Sequence, residues 1–439
     1  MNGDYVMEIP MKRTTRALLA ATATGALLLS AACSGSAEDG GKVELTFWSW
    51  VPGIDKVVAR WNDAHPAVHV TVSKQAQGDE EVTKVLTANK AGNPPDLFQA
   101  EYQALPTLVS NGAAGDIAKY TGDVKAKFAP GVWSTITLGT DAVYGIPQDS
   151  GPMMLYYRQD VFAQLGLKVP ATWDEFARTA KEVRQKDPKR YLTTFSAADP
   201  GWFAGLAQQA GAKWFGVSGD TWSVTVDDAA TKRVADFWGG LVASGDIDKQ
   251  PMYTPEWNKA LNDGTLIAWP SAVWGPGVLT GNAPDTAGKW AIAELPQWSA
   301  GEHRTGSWGG SSTAVAAKSK HVKEATEFAI WLNTDSAAVT GLITEGGIYP
   351  AATAAQSGGA LAKPPAFFAN QPEFYTLAQT IAGTAAGVTW GPNVNVTYAT
   401  YKDAFAKAIT DRTAFSGAVA AMQRSTVADL QQNGFKVAG

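Results

Sequence analysis

The chain reads as an α/β protein built from two bodies, with the backbone crossing between them. Three observations carry that expectation. A strand, a helix and a second strand follow one another over residues 43–72, the same alternation resumes after residue 160, and between them lies a stretch of different character. That stretch, residues 144–160 (YGIPQDSGPMMLYYRQD), begins with turn residues, carries Asp149 and Ser150, and becomes an apolar, aromatic run. Alternating strands and helices favour a parallel sheet with right-handed crossovers. Glycine and proline on both sides of Asp149 set special backbone angles, and a polar pair at such a crossing faces either a cleft or bulk water.

Taken in order, residues 43–48 alternate with Val43, Leu45 and Phe47 on one side, as a strand should. Pro52 and Gly53 turn the chain, Ile54, Val57, Val58 and Trp61 follow helical spacing, and residues 68–72 alternate again. A helix over 79–91 places Val82, Val85 and Leu86 inward with Gly92 past its end; a short buried strand at 96–99 and a helix near 101–110 follow. In an open α/β sheet ligands bind beyond the carboxyl ends of the strands. Here those ends are 48–50, the loop 75–78 and 99–102.

The second body opens with Thr172 and Glu175 as a capping box before Phe176, Ala180 and Val183. Helices are expected near 202–210, 228–243, 256–262 and 322–332 and through the C-terminus, with a buried strand at 266–269 running into the turn-rich 270–277. Residues 305–317 repeat the character of the first crossing, with Gly306, Trp308, Gly309, Gly310 and two serines before an alternating run, and 346–350 (GGIYP) form a third crossing. Each body is therefore assembled from separated parts of the chain.

A net charge of −5 with no basic stripe argues against nucleic acid, and a 45% hydrophobic content supports real cores. Catalytic signatures are missing: no phosphate loop, no nucleophile elbow, no second cysteine for a thiolate metal site, and four histidines of which His65 and His69 are separated by Pro66 at a helix end. No cofactor or metal is expected. Seventeen tryptophans are prominent. Trp61, Trp238 and Trp331 sit at helical spacing and read as core, whereas Trp48, Trp50, Trp274, Trp308 and Trp390 fall in loops beside glycine or proline. A pyranose has an apolar face that stacks on indole and hydroxyls that need planar acceptors and donors, so such mixed walls suit sugars.

From Met11, MKRTTR precedes an uncharged run over 17–29 and then Ser30, Ala31, Ala32 and Cys33, the layout of a secretory signal; Met11 is an alternative start to Met1. Cys33 is the only cysteine. The segment resembles a bacterial lipoprotein signal in which residues 1–33 end at a lipidated Cys33 and 34–41 form a flexible tether, although Ser30 stands where that pattern prefers leucine.

Together with that start, the strand VELTFWSW at 43–50, PDLFQ at 95–99, YGIP at 144–147 leading into LYY at 155–157, GTLIAW at 264–269 and WGGS at 308–311 resemble the extracellular solute-binding proteins of carbohydrate ABC importers, in the maltose-binding-protein superfamily. The resemblance covers essentially the whole mature chain. It implies a two-lobe periplasmic-binding-protein-like fold of type II, with an oligosaccharide held in the cleft and hinges at the crossings. The N-terminal lobe would be 42–147 with 309–348, the C-terminal lobe 148–308 with 349–439. The implied ligand contacts are Trp50, Gln77, Gln99, Glu101, Tyr102, Asp149, Ser150, Trp274, Gly275, Trp308, Gly309, Gly310, Ser311 and Trp390. Glu101 and Asp149 are the polar partner acids, and each also has a plain structural role open to it, as a helix N-terminal acid and a turn former respectively. The implied protein is a monomeric, lipid-anchored receptor without catalytic activity on the outer face of the cell membrane, delivering sugar to permease subunits. A secreted glycosidase, which would need two acids across one scissile bond, and a receptor for a non-sugar solute such as polyamine or ferric ion are the alternatives.

Overall fold

Strand formation begins where the two-residue period is cleanest. β1 (Val43–Ser49) buries Leu45, Phe47 and Ser49 and turns Glu44 and Thr46 outward. The helix Ile54–Ala64 buries Ile54, Val57, Val58 and Trp61 against the sheet. β2 (Val68–Lys74) then pairs with β1 in parallel, and β3 (Leu97–Glu101) joins the other side of β1. The structure, a computed structural model, describes residues 42–75, 78–219 and 221–438. The signal, Cys33, the tether and Gln77 lie outside the described residues.

The remaining strands are β4 (Ile146–Arg158), β5 (Phe215–Ser218), β6 (Thr221–Val224), β7 (Ala268–Ala272), β8 (Trp290–Ala293), β9 (Ser307–Val315) and β10 (Lys436–Val437). The main sheet runs β2-β1-β3-β9-β4-β7, with β8 also on β4. Two lobes arise because β4 is 13 residues long and serves both. Its first part, from Ile146 to Pro152, pairs with β9; its second, from Met153 to Arg158, pairs with β7 and β8.

Several expectations are corrected. The sheet is mixed rather than parallel, because β9 returns antiparallel to both β3 and β4. The strand expected at 266–269 is β7, which extends through Pro270 and Ser271; Pro270 sits near the end of the strand order, where its missing N–H costs little, and its carbonyl accepts from Trp202 Nε1 at 3.0 Å. The helix Asp79–Lys90 buries Glu81, Val85 and Asn89, while Val82 and Leu86 are half-buried, so its inward stripe is more polar than the apolar spacing implied. Trp331 is half-buried rather than core. The hairpin β5–β6, joined by β10, was not legible in the sequence.

The capping box is present: Thr172 Oγ1 accepts from Glu175 N at 3.2 Å, while the Glu175 carboxylate accepts from Ala171 N at 2.8 Å. The helix it starts, Trp173–Lys186, buries Phe176, Ala180 and Val183. Beside it Trp173, Trp202 and Trp238 pack edge to face, with Trp202 and Trp238 centroids 4.8 Å apart. Each of the first two gives its indole N–H to a buried acceptor, which removes the penalty of burying it.

The helix Pro200–Gln209 lies directly on the second crossing. Gly205 and Gly306 meet there, and a Cβ on Gly306 would fall well inside contact with the Gly205 carbonyl. Gly306→Ala should therefore destabilise the protein by roughly 3 kcal/mol or more through overpacking against backbone that cannot move aside. Thermal or denaturant unfolding measures the loss.

Candidate functional site

All three crossings meet at Asp149. β4 and β9 pair as Asp149↔Ser311 and Ser150↔Gly310, with register shifts on either side. The third crossing lies along the other edge, where Asp149 bridges Pro350 and Ser150 N donates to the Tyr349 carbonyl at 3.0 Å. Asp149 Oδ1 accepts from Ser311 N at 2.5 Å and from Ser311 Oγ at 2.9 Å. The chain of bonds continues inward: Gln99 Nε2 donates to Ser311 Oγ at 2.9 Å, and Gln99 Oε1 accepts from Ser49 Oγ at 2.8 Å and Trp50 N at 3.3 Å. Tyr102 Oη donates to the Asp149 carbonyl at 2.8 Å, and Gly310, at φ 95, leaves room for the Tyr102 ring.

Beside this node a cavity of about 230 Å³ opens between the lobes. Gly78, Glu101 and Gln103 form one wall; Asp199, Pro200, Gly201, Ser307, Trp308, Gly309, Trp390 and Tyr398 form the other. Of the expected contacts, Glu101, Trp308, Gly309 and Trp390 therefore line it. Trp274 stands behind Trp308, with centroids 4.7 Å apart and its Nε1 donating to the Trp308 carbonyl at 2.9 Å. Gly275 lies against the Tyr156 ring. Gln99, Tyr102, Asp149, Ser150, Gly310 and Ser311 are committed to the hinge node, and Trp50 is tied to it through Gln99. The acids facing the cavity are thus Glu101 and Asp199, in place of the expected pair Glu101 and Asp149.

Asp199, Gly201, Gln103 and Tyr398 escaped sequence reasoning. Asp199 stands before Pro200 and Gly201 at a helix start, an ordinary capping signal, and only the structure shows that its carboxylate leaves its own helix uncapped and accepts from Ser196 Oγ at 2.5 Å. Gly201 admits the Trp308 indole edge, which a Cβ would meet at 3.0 Å. Tyr398 comes from the helix Val394–Asp411, far in sequence from Asp199 and Trp308, with no local mark.

The acids are electrostatically unusual. Burial pushes Asp149 up to about 6, against the opposing pull of the Ser311 hydrogen bonds. Burial likewise pushes Asp199 up to about 6, with Ser196 and Lys402 acting against it. Glu81 is buried, neither carboxylate oxygen has a hydrogen-bond partner among the described residues, and burial together with the nearby charge of Glu101 pushes it up to about 9. His65 stacks on Trp61 with centroids 3.5 Å apart, and no group of three or more metal-binding side chains occurs among the described residues.

The fold and cleft define a two-lobed solute receptor. Residues 48–339 match the model of the bacterial extracellular solute-binding proteins, and the chain belongs to that family. It is 28% identical over 391 residues to the lactose-binding protein of Rhizobium radiobacter, covering 86% of this chain and 88% of that one. Among solved structures it is similar to the galacto-N-biose/lacto-N-biose I-binding protein of an ABC transporter from Bifidobacterium longum, in complex with lacto-N-biose. That likeness has 30% identity and a TM-score of 0.82 over 91% of this chain and 100% of that one. The ABC-transporter-associated binding protein of B. animalis subsp. lactis Bl-04, in complex with β-1,6-galactobiose, gives 25% identity and a TM-score of 0.79 over 91% and 100%.

The raised Asp149 carboxyl has a consequence for stability. A group protonated more readily in the folded than in the unfolded chain stabilises the fold at low pH, and that contribution is lost as pH rises from about 3.8 to about 6. Asp149→Asn, which cannot ionise, should gain on the parent as pH climbs through that window, and the difference in Tm measured from pH 4 to 7 reports it.

Proposed function

We propose that this protein is an extracellular receptor for an oligosaccharide, which it delivers to the permease of an ABC transporter. The observation that carries the reading is the cleft wall, where Trp308 and Trp390 stand with the planar acceptors Glu101 and Asp199 around one cavity between two lobes. The sugars bound by the similar proteins support it. Indole faces take the apolar side of a ring, and carboxylates and Gln103 take its hydroxyls.

At about 230 Å³ the cavity is smaller than typical small-molecule pockets of roughly 300–1,000 Å³. Admission of an oligosaccharide therefore needs the lobes to part, with bending at 147/148, 308/309 and 348/349, so that residues 42–147 with 309–348 move against 148–308 with 349–439. Closure is driven only by contacts the sugar makes better in the closed state. The hinge residues Asp149, Ser150, Gly310 and Ser311 and the supports Trp50, Gln99, Tyr102, Trp274 and Gly275 act on the ligand through this geometry; Gln77, next to Gly78 in sequence, is a further contact of the reading. The receptor works as a monomer and turns nothing over.

Titration calorimetry against a panel of oligosaccharides tests the receptor reading, and no binding of any of them sinks it. Trp308→Ala should weaken binding by roughly thirtyfold, as loss of a central aromatic anchor does. Turnover of aryl glycosides or of the panel would instead establish a glycosidase.

Among the described residues no helix is long and apolar enough to cross a membrane. We infer that Cys33 carries the lipid anchor, with residues 34–41 as tether. Cys33→Ala should shift the protein from the membrane fraction to the culture medium, as fractionation would show.

A further inference from the structure

Residues 384–393 (TAAGVTWGPN) form a strap tied down at both ends. At one end Thr305 N donates to the Thr384 carbonyl at 3.3 Å and Ala386 N donates to the Thr305 carbonyl at 3.0 Å, which pins the segment just before β9. At the other end the Asn393 amide donates to the Thr426 carbonyl and to Asp429 Oδ2, both at 2.9 Å, on the helix Phe415–Gln432. Between these ties residues 386–391 are neither helix nor strand, and Gly391 lies so close to the Phe215 ring that no Cβ would fit. The strap delivers Trp390 to the cavity, where its ring meets Tyr398 edge to face with centroids 6.3 Å apart.

The strap also touches the opposite side of the cleft. Thr107, on the short helix Leu105–Ser110 that follows the cavity residues Glu101 and Gln103, donates its hydroxyl to the Pro392 carbonyl at 2.8 Å, across 285 positions of sequence. Both residues are buried, so this bond is shielded from water. By the lobe division proposed above, Thr107 lies in one lobe, whereas Phe215, Thr305, Thr426 and Asp429 lie with the strap in the other. Parting of the lobes leaves those four contacts intact and breaks the bond to Thr107.

We propose that lobe closure locks this strap: Thr107 takes hold of the Pro392 carbonyl from the opposite lobe and so sets Trp390, two residues away, against the ligand. Thr107 is a positioning residue, since it does not itself line the cavity. The proposal rests on the receptor reading and on the lobe division given with it, and adds how closure is conveyed to the aromatic wall. With the lobes apart, water meets both the hydroxyl and the carbonyl and nothing is lost. With the lobes closed, a carbonyl deprived of its donor would be buried unsatisfied, and the Thr107 hydroxyl removes that penalty. The bond therefore lengthens the lifetime of the closed complex and leaves the ligand-free protein as stable as before.

The test is stopped-flow fluorescence and calorimetry on the full chain with lactose, β-1,6-galactobiose and lacto-N-biose, the sugars of the similar proteins, within a wider oligosaccharide panel. Thr107→Val keeps the shape of the side chain and removes the hydroxyl. It should weaken the binding of whichever sugar the parent takes by roughly tenfold, chiefly through faster dissociation, with the Tm of the ligand-free protein unchanged. Thr107→Ser keeps the donor and should recover most of the affinity. In a Trp390→Ala background Thr107→Val should cost less than about twofold, because the ring it positions is gone. Parent-like affinity of Thr107→Val, or an equal loss with and without Trp390, overturns the proposal while leaving the receptor reading standing. A loss of ligand-free Tm in Thr107→Val that matches its loss of affinity marks ordinary packing and overturns it too. Silence of the parent across the whole panel overturns the receptor reading and this proposal with it.

Discussion

The geometry of the molecule depends on one contact, the pair of hydrogen bonds by which Asp149 holds Ser311. These two residues lie on different crossings, 162 positions apart, and the third crossing is strung along the opposite edge of Asp149. A carboxylate that takes both the backbone N–H and the hydroxyl of one residue fixes that residue's position and orientation together, and the bond is stronger for being charge-assisted. Because Ser311 is also held by Gln99, and Gln99 by Ser49, the alignment is passed to the carboxyl ends of β1 and β3. A polar chain of this kind is directional in a way that apolar packing is not.

The aromatic wall of the cavity is arranged from the same node outward. Trp308 sits three residues before Ser311, and Trp274 and Trp269 meet it nearly edge to face. The Trp274 indole N–H is bonded to the Trp308 carbonyl, so backbone and ring are located at once. On the other side Gly201 gives the indole edge its space, and the contact of Gly205 with Gly306 brings the helix Pro200–Gln209 down onto the crossing. A rigid aromatic surface loses little conformational freedom when a ligand settles on it, which is the physical advantage of this construction.

Against these favourable contacts stand three acids drawn partly or wholly out of water. Asp149, Asp199 and Glu81 are all held above the usual carboxylate range by burial, so each opposes the fold in its charged form near neutral pH. Asp149 recovers part of that through Ser311 and Asp199 through Ser196, whereas the Glu81 carboxyl has no hydrogen-bond partner among the described residues.

Much of the architecture was legible because short-range periodicity writes it. The alternation of β1, the helical spacing of Ile54 to Trp61, the capping box at Thr172 and the three clusters of turn residues are local signals, and so is the excess of tryptophan beside glycine that marks Trp308 as a cleft residue. What no local signal carries is which distant segments touch. That β9 would return antiparallel, that β10 would add to the β5–β6 hairpin, that Tyr398 would reach the cavity and that Asp149 would turn to Ser311 while Asp199 lined the cavity are all decided by contacts between residues far apart in the chain. Period and composition determine which residues must be buried or turned; only packing in three dimensions decides which acid is locked between the crossings by Ser311 and which lines the cavity.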